Sequence, residues 1–121
     1  MLTNYITIPS NLWSNIYTTG SNYICDPPVT DTDIDYIVYS ANPKLLVWLE
    51  EEGFESCNND YPITITGLFI SLRRGKLNLI ITDSYTFYHK WVEATKLAKK
   101  LNLKEKEQRI TLFKYFLYDT E

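Results

Sequence analysis

Histidine and cysteine are almost absent from this chain. One histidine, His89, and two well-separated cysteines, Cys25 and Cys57, form no CxxC pair. They offer none of the usual ligand sets for zinc, and the cysteines read as free thiols of a reducing cytoplasm. Long hydrophobic runs are missing too: nothing approaches the roughly 18 residues that span a bilayer. The first ten residues, MLTNYITIPS, hold neither a basic start nor an apolar core, so no signal peptide and no membrane partner are expected. Positive charge is scarce in one half only. Residues 1–60 carry Lys44 alone against nine acids, a balance of −8, while residues 61–121 carry eleven cations against six acids, a balance of +5. An acidic half that gathers metal and a basic half that gathers phosphate suit a nucleotide enzyme. Equally, folding interleaves the halves and their charges pair.

What is present is ordinary globular material: 121 residues, 45% hydrophobic and 22% charged, expected to form a single domain over 1–121. Ten tyrosines mean that rings close much of the core and that their hydroxyls need partners. The segment Leu12 to Tyr17 reads as a short helix leading into a first strand, Ile16 to Thr19. Asn42 and Pro43 suit the start of a helix whose buried stripe is Leu45, Leu46, Leu49 and Trp48, with Gly53 to end it. Residues 54–62 read as a polar connection. Ile63 to Leu72 and Leu77 to Thr82 read as two antiparallel strands about an Arg73-Arg74-Gly75-Lys76 turn. Asp83 or Ser84 caps a long helix that uses Phe87, Trp91, Ala94, Ala98 and Leu101; Asn102 stops it. A last helix from about Lys104 to Tyr118 uses Ile110, Phe113, Phe116 and Leu117, with Leu112 and Tyr115 widening its buried face. The expected fold class is α+β: a small mixed sheet with helices packed on one face.

The chemistry gathers between Gly20 and Tyr39. Asp31, Asp33 and Asp35 occupy every second position, and the last two enter an apolar run, Ile34-Asp35-Tyr36-Ile37-Val38-Tyr39, that reads as a strand. Alternation turns Asp33 and Asp35 to one face. Their spacing is roughly 6.7 Å, where two full charges repel by about 2.5 kcal/mol at an effective dielectric near 20. Solvent or a cation must relieve that, and hard divalent ions favour carboxylate oxygens.

This constellation resembles the nucleotidyltransferase fold of the DNA polymerase β type. The family's signature is an apolar residue and Gly-Gly or Gly-Ser, a gap of about a dozen residues, then Asp-apolar-Asp-apolar on a strand. Here the matching pieces are Thr19-Gly20-Ser21 and Asp33-Ile34-Asp35-Tyr36. The order of elements over residues 12–100 also follows the minimal domain of that family. The resemblance implies that Gly20 and Ser21 hold a nucleotide's phosphates, and that Asp33 and Asp35 hold two Mg²⁺ ions (Mn²⁺ as substitute). Arg73, Arg74 or Lys76 would reach the triphosphate.

The third family carboxylate belongs between apolar residues on a neighbouring strand. That slot is Leu77-Asn78-Leu79. Asparagine is a weak ligand and accepts no proton at neutral pH. Asp83 lies past the strand end and on its other face, a poor substitute. Two readings follow. In one, the chain keeps the fold without the chemistry and acts by binding a host protein or a nucleotide, as in the small phage-encoded nucleotidyltransferase-like proteins it resembles. In the other, Asp33, Asp35 and Asn78 still move a nucleotide from an NTP to an RNA, protein or small-molecule hydroxyl. An unrelated α+β domain with a solvated acidic strand end is the third alternative. His89 reads as a surface histidine. The lysines from Lys96 to Lys106, broken by Glu93, Glu105 and Glu107, read as a solvated helix face rather than a nucleic-acid contact.

Overall fold

The computed structural model describes residues 6–25, 33–56 and 69–118. Asp31, Cys57 and the expected strand residues 63–68 lie outside them. Among the described residues five strands form one mixed sheet: β1 (Asn15–Thr19), β2 (Ile34–Tyr39), β3 (Glu55–Ser56), β4 (Ile70–Arg74) and β5 (Leu77–Thr82). Four helices complete the order among these residues: α1 (Ser21–Ile24), α2 (Lys44–Glu51), α3 (Tyr85–Lys100) and α4 (Lys106–Tyr118). Across the sheet the strands run β1-β2-β5-β4-β3. Only β2 and β5 are parallel; every other neighbouring pair is antiparallel.

Local chemistry sets most of the boundaries. Asn42 starts α2, its side-chain oxygen accepting the Lys44 amide at 3.0 Å. Gly53, at φ +93, ends it: its amide donates to the Glu50 carbonyl and that of Phe54 to Leu49. These are the paired bonds of a left-handed helix stop. Asn102, at φ +50, does the same for α3, with Leu103 donating to Ala98. Ser84, rather than Asp83, caps the start of α3 by accepting from the Phe87 amide. Gly75 and Lys76 join β4 to β5. The positive φ falls on Gly75, the pattern of a two-residue hairpin turn that needs glycine first.

The core departs from the one-sided packing expected. On one sheet face, Tyr36, Val38, Leu77, Leu79 and Ile81 meet Leu45 and Leu49 of α2, with Ile6, Ile8 and Leu12 from the N-terminal segment. On the other, Ile37 and Ile80 meet α1, α3 and α4 through Ile24, Phe87, Trp91, Ala94, Ala98, Phe113 and Leu117. Helices therefore cover both faces. The cause is β5, buried at all six positions, because a strand with apolar residues on both parities must be covered twice. Four smaller expectations also change. Glu55 and Ser56, expected within a polar connection, pair with β4 as the edge strand β3. Leu12 to Tyr17 forms no helix and passes directly into β1. Leu101 is 56% exposed as the C-cap of α3, and Tyr115 is 61% exposed rather than part of the α4 stripe.

Candidate functional site

Strand pairing brings the singled-out residues into one transverse row. Thr19 lies opposite Asp35, Asp35 opposite Asn78, Asn78 opposite Arg73, and Arg73 opposite Glu55. The row crosses all five strands at about 4.8 Å per step. Directly paired residues share a face, and Ile37 and Ile80 identify it as the side covered by α1 and α3. The slot assigned to a third carboxylate is thus in register with Asp35, and its occupant is Asn78, 2% exposed.

Gly20 lies directly against Asp35. A Cβ on Gly20 would stand 2.8 Å from the Asp35 Cγ and 2.9 Å from its Cβ, and closer still to Oδ2. Its φ of +81 is also one that side chains rarely adopt. Glycine is required here both for the turn and for the carboxylate packed beneath it. The turn is fixed from behind. Thr19, just before it, is fully buried; its hydroxyl accepts from the Trp91 indole at 3.0 Å and meets the Thr95 hydroxyl at 2.7 Å. Thr95 also donates back to the Trp91 carbonyl. On the next turn of α3, Lys99 donates to the Tyr23 carbonyl at 2.7 Å and lies over the Tyr23 ring. The Tyr17 and Tyr23 hydroxyls, 3.4 Å apart, join β1 to α1. That hydrogen bond, followed by burial, pushes the Tyr17 phenol up to about 12.

Asp33 precedes β2 and turns the other way along the row. Its Oδ2 stands 2.8 Å from Arg73 Nη2, both side chains about one-third exposed. Arg74 is not brought to this cluster. Alternation sends it to the α2 side, where it lies 4.7 Å over the Phe54 ring and donates to the Glu52 carbonyl. Lys76 is exposed in the hairpin turn, and its carbonyl accepts the Ile34 amide at 2.7 Å. Ser21 opens α1 beside Asp35's contact with Gly20. His89 stacks on Tyr85 at the far end of the sheet.

The donor set can be judged against the two Mg²⁺ ions that the family resemblance implies. Among the described residues no group of three or more histidine, cysteine or acidic side chains could hold a metal. Of the two aspartates expected to do so, Asp33 faces a guanidinium, which already supplies positive charge and would repel an ion. Asn78 adds one neutral carbonyl oxygen.

Sequence reading singled out Gly20, Ser21, Asp33, Asp35, Asn78 and Arg73; it named Thr19 only as a motif residue and Trp91 only as a core residue, and did not name Thr95. Its signal was available: Thr95 sits one turn after Trp91 inside an otherwise apolar stripe, where a hydroxyl must find a partner. No protein-family profile matches the chain, and neither a curated protein nor a solved structure is found to be similar to it.

Proposed function

We propose that this chain is a nucleotidyltransferase-like domain that acts by binding and transfers no nucleotide. One observation carries the reading: Arg73 takes the Asp33 carboxylate at 2.8 Å, while an amide, Asn78, stands in register with Asp35. A fixed guanidinium has replaced the mobile cation, and the residue that would accept a proton from an attacking hydroxyl is gone. The Gly20 turn packed on Asp35 and the mixed sheet support descent from that family's arrangement. The partner is a protein or a nucleotide. If the chain is phage-encoded, as the family resemblance suggests, a protein partner belongs to the host cell.

The test combines melting with labelling. Wild-type protein is melted with Mg²⁺ or Mn²⁺ and each NTP, and incubated with labelled NTPs and candidate acceptors. The expected result is no transfer and no metal-dependent rise in Tm. Arg73→Ala combined with Asn78→Asp should restore a metal-dependent rise of a few degrees, since ligands of the folded state raise Tm by mass action. A metal-independent rise with an NTP identifies the nucleotide as partner; no rise with any NTP favours the protein-binding reading. Transfer by wild type, abolished in Asp35→Asn, would overturn the proposal and establish the competing reading, an active Mg²⁺-dependent transferase, which the Gly20–Asp35 contact favours.

A further inference from the structure

A second feature lies at the opposite end of the parallel pair β2 and β5. The chain leaves β2 for α2 on one face of the sheet and leaves β5 for α3 on the other. Adjacent parallel strands whose following helices diverge open a crevice beyond their carboxyl ends, where ligands of open α/β sheets bind. A cavity of about 370 Å³ occupies that position, within the range of small-molecule sites. Its walls are Leu45 and Leu46 of α2, Phe69 and Ile70 at the start of β4, and Ile81 of β5, with Asp83 at the rim.

The two loops define which ligand chemistry fits. Phosphate sites at such positions use unspent backbone amides, and here those of Asn42, Lys44, Leu45 and Ser84 are spent. The Asn42 amide donates to the Ser40 hydroxyl, that of Lys44 to the Asn42 side chain, and that of Leu45 to the Asn42 carbonyl. Across the crevice the Ser84 amide donates to the Thr82 hydroxyl, and Pro43 has none. The charge on the lining is the carboxylate of Asp83, which is exposed and has left the capping of α3 to Ser84.

We infer that this crevice is a binding site for a small amphiphilic cation, an apolar body carrying a protonated amine. The body fills the space between Leu46, Ile70 and Ile81, and the ammonium lies at Asp83. The site is separate from the Asp35 row and requires neither metal nor nucleotide, so it stands or falls apart from the function proposed above.

The test titrates the full chain with phenylbutylamine, phenylbutanol and phenylbutyrate, read by amide shifts in heteronuclear NMR. The expected result is amine-induced shifts confined to Ala41, Leu46, Ile70, Asp83 and their neighbours, with a Kd on the order of 1 mM for a probe of this size. The amine should bind about fivefold tighter than the alcohol, the contribution of an exposed ion pair, and the carboxylate most weakly. Asp83→Asn, an exposed change that leaves the fold intact, should bring the amine down to the alcohol's affinity. Leu46→Trp should fill the cavity and abolish binding of all three, with the remaining spectrum unchanged. Equal binding of amine and carboxylate, shifts mapping elsewhere, or undiminished binding in Leu46→Trp would each overturn the inference.

Discussion

The two ends of the parallel pair β2 and β5 solve the same problem in opposite ways. At the Asp35 end, polar groups sit in or near the core and have partners within the protein: Asp33 with Arg73, Thr19 with Trp91 and Thr95. At the Ser40 end, the amides of Asn42, Lys44, Leu45 and Ser84 are also satisfied locally, yet the side chains leave an apolar cavity with one acid at its rim. Buried polar groups are costly unless paired, so the first end must be preorganised and rigid. The second end holds Ser40 and Thr82, also buried and bonded to the Leu12 carbonyl and the Ser84 amide, but its exposed rim at Asp83 carries no such demand. Substitutions should therefore be felt strongly at the buried row of the first end and weakly at the rim of the second.

Gly20→Ala should have the largest effect. A methyl group there meets the Asp35 side chain and forces a side-chain-bearing residue to φ +81. Overpacking and the left-handed backbone together cost about 2–4 kcal/mol, or roughly 10 °C in Tm for a domain of this size. Asp35→Ala in the Gly20→Ala background should recover part of the loss. A double-mutant cycle that instead shows additivity would mean the two residues do not touch.

Thr19→Val comes next. It removes the acceptor for the Trp91 indole and the partner of the Thr95 hydroxyl, leaving a buried N–H unsatisfied at about 1–3 kcal/mol. Chemical denaturation with an unchanged m-value would read this out. Trp91→Phe, made in the Thr19→Val protein, should cost less than it does in wild type, because the orphaned donor is already lost.

Arg73→Ala should matter far less to stability, although it lies in the same row. Both members of its pair are about one-third exposed, and such pairs are worth at most about 1 kcal/mol. The loss should shrink at high salt, which screens exposed charge. Asp83→Asn, at the opposite end, should stay within about 0.5 kcal/mol of wild type. An Arg73→Ala loss as large as that of Thr19→Val would show that the guanidinium is structural rather than a stand-in for a cation.

Much of this arrangement was legible in the sequence because local chemistry fixes it. Asn42, Gly53, Gly75, Ser84 and Asn102 act at the boundaries they mark, each through backbone geometry or a nearby hydrogen bond. Asp35 and Asn78 were singled out through the family resemblance rather than local chemistry, and strand pairing sets them opposite one another. What alternation could not supply was register and direction. Whether Arg73 or Arg74 faces Asp33 depends on how β4 pairs with β5, and that pairing is set by the whole core. The helix distribution was readable but misread. Leu77, Leu79, Ile80 and Ile81 are apolar on both parities, which calls for cover on both sides. Thr95 looked like one polar residue on a helix, and only the fold brings Thr19 to it.

The smallest effect distinguishes the two ends by the ionisation of their tyrosines. Tyr17, near the Asp35 end, is held protonated first by its hydrogen bond with Tyr23 and then by burial, raising its phenol from 10.0 to about 12. Tyr88 packs with Tyr39 and Tyr85 near the crevice end and is raised first by burial, then by the charge of Tyr85. For a group whose native pKa lies above its unfolded value, the stabilisation is complete below the unfolded pKa and disappears as pH climbs through the native one. Tyr17's contribution should thus be intact below pH 10 and lost between about 10 and 12. Tyr23→Phe removes the first cause for Tyr17 and leaves burial and the Tyr85 charge acting on Tyr88. In a phenolate absorbance titration, that variant should ionise one tyrosine earlier than wild type. Tyr17 and Tyr88 also feel each other's charge, so a small rise of the Tyr88 step is electrostatic. A Tyr17 step that stays where it is in wild type would mean that Tyr23 does not hold its proton, and the contrast between a locked end and a tolerant one would lose this support.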